Sequence, residues 1–410
     1  MTTTTSATAT TSDTATTSDT AEQPTLQRFQ PTDLDASPEV NALLERLGLG
    51  SLATEGLASF GGRNDNWAGR TSGGHQVFVK TVARTPEGGS PQLERALAFE
   101  GLARRLPAGS PLRTPGHLGS DRTAAVGVYR LLPGARSGSE LALDDEFDEE
   151  LCREAGRAVG ALHALPAVPA VPATPEAAAD GDADAPAIDT EEAPLPPMPW
   201  LEALPWYAVQ ERSMGQIAAW RLVQDDAEVI AALHALRAAE RSAPHAPTHC
   251  DLRFDQFLRH DGTLYLCDWE EFRLADPARD VGAFAGEWLF HATYQVFAPG
   301  AGQDGPAAGF GLDHAEIIER GAASLRRFTP RITAFWQGYL EQHTPDPGLA
   351  ERAAAFAGWH MFDRLLATAE LHATLNPVAR AAAGIGRTLL LNPAGAVATL
   401  GFTQPSGSPR

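Results

Sequence analysis

Hydrophobic positions change their spacing once along the chain. Between about residues 55 and 132 they come in short runs, Val77-Phe78-Val79-Lys80 and Ala125-Val126-Gly127-Val128-Tyr129. Such runs, rich in β-branched and aromatic residues, predict strands. One helical pattern, Gln92 to Leu106, lies between them, and Ser37-Pro38-Glu39 opens a helix predicted to run through Leu47. From about residue 145 helical spacing dominates, interrupted by one short β hairpin near 255 to 274, with Asp261-Gly262 as its turn. The pattern predicts an α+β chain in two lobes, a small β-rich lobe over 38–134 and a larger helical lobe over 135–402. Two stretches offer little to bury. Residues 1–25 are mostly Thr, Ser, Ala and Asp and read as a disordered tail, and 166–199, Ala-Pro repeats followed by the acidic run Asp180 to Glu192, reads as a disordered, solvated insertion. The Pro/Ser/Gly-rich end, 403–410, is expected to fray. No repeat has a solenoid period.

Composition narrows the function. The chain has 410 residues, enough for two lobes with a sizeable core, and a formal net charge of -20. That charge argues against a general binder of nucleic acid or anionic membrane, which needs a basic surface. Three scattered cysteines, Cys152, Cys250 and Cys267, make neither a disulfide framework nor a zinc site. The N-terminus shows no secretory signal and no apolar run is long enough to cross a bilayer, so a cytoplasmic location is expected.

The chemistry concentrates in His249-Cys250-Asp251-Leu252-Arg253-Phe254-Asp255-Gln256, followed by Leu264-Tyr265-Leu266-Cys267-Asp268-Trp269-Glu270. Phosphoryl transfer needs a carboxylate at the acceptor hydroxyl and oxygen ligands for a cation that neutralises the phosphates. Asp251 is placed for the first role. Gln256 and Asp268, joined by a turn and a strand, are placed for the second. A lone Asp after His is commonly a turn or a cap; two of them bracketing an Asp-Gly hairpin, with an amide at this offset, are not. His249 reads as structural, holding the loop by hydrogen bonds to backbone.

This stretch resembles the catalytic-loop and metal-loop pair of the aminoglycoside phosphotransferase / choline kinase superfamily, H-G-D-x-x-x-x-N followed by a hydrophobic strand and I-D-W/F-E. The resemblance implies a bilobal protein-kinase-like fold that uses ATP and Mg²⁺. Asp251, Asp268, Trp269 and Glu270 match; Cys250 replaces the usual Gly, and Gln256 the usual Asn. It implies that Asp251 is the catalytic base, and that Asp268 and Gln256 hold the metal. It implies further that Lys80 pairs with the α/β-phosphates and is fixed by a helical Glu, for which Glu100 is preferred over Glu94. The turn Gly61-Gly62-Arg63-Asn64 takes the place of the phosphate-covering loop, and Tyr129-Arg130-Leu131 lies where the hinge meets adenine. The helix Glu154 to His163 matches a packing helix, and Asp280 a structural anchor of the catalytic loop. The likeness covers about residues 55 to 290.

The acceptor is less legible. The run Gly62 to Thr71 with Val77-Phe78-Val79-Lys80 looks like the kinase subunits of class V lanthipeptide and thioamitide biosynthesis. That implies a precursor-peptide substrate phosphorylated on Ser/Thr, and a separate lyase partner of the HopA-effector type that eliminates phosphate to give dehydroamino acids. Two alternatives stand beside it: a small-molecule kinase acting on an aminoglycoside-type antibiotic, and a pseudokinase serving as a partner's scaffold. No nucleic-acid or membrane partner is expected.

Overall fold

A computed structural model describes residues 28–29, 32–61, 64–86, 88–166, 186–297, 313–370 and 372–403. The expected tail over 1–25, the expected tail over 403–410 beyond Thr403, and residues 167–185 of the expected insertion over 166–199 lie outside the described residues.

The small lobe begins earlier than the pattern suggests. Strand β1 (Arg28–Phe29) pairs with β2 (Ser59–Phe60), and a short 3-10 turn precedes α1 (Pro38–Arg46), which starts on a proline as such helices tolerate. A four-stranded antiparallel sheet follows, in the order β3 (Asn66–Arg70), β4 (Gln76–Thr81), β6 (Val126–Arg130), β5 (His117–Asp121). Alternation along β4 sends Val77 and Val79 into a core with Trp67, Val126, Val128 and the Val40, Leu43 and Leu44 face of α1. Phe78 and Lys80 therefore point the other way, into the space between the lobes. Helix α2 (Pro91–Ala103), capped by Ser90 Oγ, runs between β4 and β5. Its buried face, Phe99 and Leu102 included, joins the core of the large lobe rather than that of the sheet.

The large lobe holds β7 (Arg136–Ser137), α3 (Gly138–Leu143) and α4 (Glu149–His163). Then come α5 (Trp206–Glu211), α6 (Met214–Gln224) and α7 (Ala227–Ser242). After the strands described next, α8 (Ala278–Val296), α9 (His314–Gln342), α10 (Leu349–Thr368), α11 (Pro377–Leu391) and α12 (Pro393–Ala396) complete it. Helices α4, α8, α9 and α10 enclose the core, where Phe284 stacks on Phe335 with centroids 3.9 Å apart. The mixed fold, a small antiparallel sheet lobe against a larger helical lobe, is the one expected.

Two expectations need correction. Besides the hairpin β9 (Phe257–His260) and β10 (Thr263–Leu266), β8 (Ala246–Thr248) pairs with β11 (Arg273–Ala275), and β7 adds an edge to β9. Residues 186–199 are not a solvated disordered loop. Leu195 is fully buried, and the Leu274 N–H donates to the Asp189 carbonyl at 2.8 Å. Arg237 and Arg279 donate to the Ala193 carbonyl at 2.8 and 3.0 Å, satisfying backbone that an Ala-Pro composition leaves without local partners. At the other end the Thr403 carbonyl accepts from the Trp336 indole N–H at 3.0 Å, so packing extends to that residue. Among the described residues, no helix is long and apolar enough to cross a membrane.

Candidate active site

The hairpin sets the site. Asp261 and Gly262 both take positive φ, 46° and 73°, as a tight two-residue turn demands. The register then pairs Leu266 with Phe257, so the residues just outside the hairpin's open end, Gln256 and Cys267, meet: the Cys267 N–H donates to the Gln256 carbonyl at 3.0 Å. Gln256 and Asp268 are thereby delivered to one cleft. Asp268 has left-handed backbone, φ 68° and ψ 66°, ahead of the 3-10 turn Trp269–Glu271. Gln256 is buried, with Oε1 at 4.0 Å from Cys267 Sγ.

The catalytic-loop segment hangs from one buried carboxylate. Asp280, at the start of α8, accepts from the His249 N–H at 2.8 Å and the Cys250 N–H at 2.9 Å. Its Oδ2 also lies 3.0 Å from Nε2 of His163, whose Nδ1 meets the Tyr339 hydroxyl at 3.1 Å. Burial pushes the Asp280 carboxyl up, and the hydrogen bond and charge of His163, with the His249 backbone N–H, hold it below the usual range. His249 lies between Nε2···Cys267 carbonyl, 2.9 Å, and Nδ1···Asp251 N–H, 3.3 Å, which fixes the Nε2–H tautomer and ties the two functional loops together. Cys250 takes φ 66°, the conformation that makes Gly the usual residue here.

Asp251 opens into the cleft and is held by Arg253, Nη1 to Oδ2 2.5 Å; the same guanidinium bridges to Asp255 at 2.9 Å. Burial raises the Asp251 carboxyl above its ordinary value despite Arg253, and the Asp268 charge adds to the rise. Asp251, Gln256, Asp268 and Lys80 all line a cleft of about 1660 Å³, as do Gly61, Asn64, Glu100, Tyr129, Arg130 and Leu131. Gly62 and Arg63 lie outside the described residues.

The expected ion pair of Lys80 with Glu100 is corrected. Lys80 Nζ is 2.7 Å from Asp268 Oδ1 and pairs also with Glu270 Oε1. Burial lowers the Lys80 ammonium, and these two carboxylates more than offset it, so its pKa is raised. On Asp268 the balance falls the other way: burial pushes it up and Lys80 holds it below the carboxylate range. Glu100 is buried with a different neighbour, Arg104, and desolvation pushes it up to about 7. Glu94, the alternative, pairs with Arg122 at 3.3 Å. At the hinge, the Arg130 and Leu131 N–H groups already donate to the Gly116 and Gln76 carbonyls at 2.8 and 3.2 Å, because β6 is an inner strand. Any free hinge donors come from the residues after Leu131.

Several contributors were not read from the sequence. Phe99 stacks on Trp269 with centroids 3.4 Å apart, docking α2 on the metal loop. Arg95, one turn earlier, donates to the Glu270 carbonyl at 3.3 Å and binds Asp189 at 2.7 Å. On the far side of the cleft α10 presents Trp359, His360, Asp363 and Arg364. The signal was present: polar His360, Asp363 and Arg364 recur at helical spacing inside the otherwise apolar stretch 353–367 of that helix.

Comparison with known proteins places this geometry. The model of the phosphotransferase enzyme family, APH, matches residues 57–316. Among solved structures, an amicoumacin kinase in complex with AMP-PNP, Ca²⁺ and Ami matches with a TM-score of 0.51 at 13% identity, over 88% of this chain and 96% of that one. The choline kinase LicA from Streptococcus pneumoniae matches at 0.49 and 13%, over 87% and 99%. A macrolide 2'-phosphotransferase from Brachybacterium faecium matches at 0.38 and 22%, over 87% and 98%. At these identities the first likeness speaks to fold alone. No curated protein is significantly similar in sequence. The family match spans more than half of the chain and contains Lys80, Asp251, Gln256 and Asp268, so the chain belongs to the phosphotransferase enzyme family, a kinase-like enzyme whose acceptor is a hydroxyl.

Proposed function

We propose that the protein transfers the γ-phosphoryl group of ATP to Ser and Thr hydroxyls of a precursor peptide, and that a separate lyase then eliminates the phosphate to leave dehydroamino acids. The carrying observation is that an acidic group of raised pKa, Asp251, opens into the same cleft as the Lys80–Asp268 pair. Asp251 accepts the acceptor's proton as the oxygen bonds to phosphorus and ADP departs. Lys80 faces the α/β-phosphates. The donors beside it, a carboxylate on Asp268 and an amide oxygen on Gln256, suit a hard cation such as Mg²⁺. Bound there, Mg²⁺ supplies neutralisation of the β/γ-phosphate charge. The cleft of about 1660 Å³ has room for ATP and an acceptor side by side.

A second reading, a small cationic acceptor such as an aminoglycoside, is favoured by the Asp255 and Asp363 carboxylates, 48% and 46% exposed in the same cleft. Incubation with ATP, Mg²⁺ and either a Ser/Thr-rich precursor peptide or an aminoglycoside panel separates the two by mass spectrometry. Addition of one phosphate to the peptide, lost again when the lyase is present, is the expected result. Phosphorylated aminoglycoside with unmodified peptide overturns the peptide assignment. ADP formation with neither acceptor modified rejects both.

A further inference from the structure

Lys80 has two carboxylate partners, and they are not equivalent. Asp268 is the proposed cation ligand. An ammonium only 18% exposed needs a counter-ion that is there before a cation arrives and stays after Asp268 turns to it, because an unpaired buried charge is costly. Glu270 is in place. It pairs with Lys80, and its own carboxylate is 17% exposed. Its backbone is fixed independently, since Trp269 is stacked on Phe99 and Arg95 donates to the Glu270 carbonyl at 3.3 Å.

Glu270 also reaches the opposite wall. The Asn64 side-chain amide donates to Oε1 at 2.8 Å and Oε2 at 3.1 Å. Asn64 lies two residues before the start of β3, and buried Asn66 fixes its backbone. The Asn66 side chain accepts from the Phe60 N–H at 2.7 Å and donates to the Phe60 carbonyl at 2.8 Å and the Asn64 carbonyl at 3.2 Å. Glu100, on α2, takes no part in this arrangement. Its burial pushes it up to about 7, so near neutral pH it is a poor counter-ion.

We propose that Glu270 is the positioning residue for Lys80 and that the Asn64–Glu270 pair is a latch holding the backbone ahead of β3 against the metal loop. The proposal rests on reading the cleft as an ATP site. It assigns Glu270 a role toward the lysine rather than toward the cation, so its effect on nucleotide affinity persists without metal.

The test is equilibrium binding of a fluorescent ADP analogue (MANT-ADP) to the full chain, in EDTA and in Mg²⁺, for Glu270→Gln, Asn64→Ala and their combination. Each single variant is expected to raise Kd about tenfold in EDTA, with the double variant little worse than either single, because coupled residues are not additive. In phosphoryl transfer the KM for ATP is expected to rise by a larger factor than kcat falls. An affinity loss that appears only with Mg²⁺ overturns the proposal, since it makes Glu270 a cation ligand. Strictly additive losses overturn the latch. Weakened binding in Glu100→Gln with none in Glu270→Gln returns the positioning role to α2. Should Glu270→Gln misfold, Asn64→Ala still decides: unchanged affinity in EDTA rejects the latch. Wild-type protein that binds no MANT-ADP in either buffer rejects the ATP site itself, whereas wild-type binding with unaffected variants rejects the latch alone.

Discussion

The ring of Phe99 lies on the indole of Trp269, centroids 3.4 Å apart and planes within 7°. Phe99 is on the helix that follows the lysine strand, and Trp269 follows the candidate metal ligand, so one aromatic pair ties the position of α2 to the conformation of the metal loop. Both rings are buried. Truncating a buried Phe to Ala removes transfer energy and leaves a cavity, together about 3–5 kcal/mol. Phe99→Ala is therefore expected to lower Tm by many degrees and to weaken nucleotide binding beyond what the same loss of stability causes when the cavity is made at Phe335, deep in the helical core. Equal nucleotide affinity in the two cavity variants shows that the stack does not govern the metal loop.

Asp251 carries no load in the Lys80–Asp268–Glu270 cluster, which separates its chemistry from nucleotide binding. Asp251→Asn keeps the shape and removes the base. Phosphoryl transfer is expected to fall about 10²–10⁴-fold with nucleotide affinity within about twofold of wild type. Because burial raises the Asp251 carboxyl, the wild-type rate is expected to climb with pH through a pKa above the ordinary aspartate value. A variant turning over at near-wild-type rate removes Asp251 from the reaction.

Cys250 occupies a left-handed backbone position, φ 66°, that costs an L-residue about 1–2 kcal/mol and glycine almost nothing. Its N–H must keep pointing at Asp280, so the loop cannot relax the strain away. Cys250→Gly is expected to match or exceed the wild-type Tm, and Cys250→Val to fall well below both, since a β-branched residue tolerates this φ least. A Val variant as stable as wild type contradicts the strained backbone.

What was legible in the chain follows from distance along it. The cleft positions of Asp251, Gln256 and Asp268 were readable because a single Asp-Gly hairpin joins them. The orientation of Lys80 was readable from the alternation of Val77 and Val79. The partners of those groups were not. Asn64 meets Glu270 across 206 positions and His163 meets Asp280 across 117, and no periodicity records such a meeting. The misplaced role of Glu100 has the same origin. Helical spacing puts Phe99 and Glu100 on the same turn, about 100° apart, but does not say that the aromatic face meets the metal loop while the carboxylate is buried beside Arg104. Residues 186–199 look solvated because the arginines that satisfy their carbonyls, Arg237 and Arg279, lie some 40 to 90 positions away.

Glu287 of α8 supports the catalytic loop from below. One oxygen accepts from the Phe254 N–H at 3.3 Å, and the other lies 2.6 Å from His360 Nε2 on α10. Burial pushes this carboxyl up, but the hydrogen bond and charge of His360, with the Arg364 charge, outweigh it and bring the pKa to about 2. A carboxylate whose folded pKa is depressed contributes stability that is complete above its unfolded value, near 4.5, and lost as pH falls towards the folded one. The contribution is on the order of 3 kcal/mol, from 1.36 kcal/mol per unit. Glu287→Gln cannot ionise and lacks this pH dependence. Urea unfolding of both proteins between pH 2 and 7 is expected to show a stability gap that is constant above about pH 5 and closes progressively below it. A gap that stays the same down to pH 2 assigns the loss to packing and rejects the Glu287–His360 ion pair as the support of the loop.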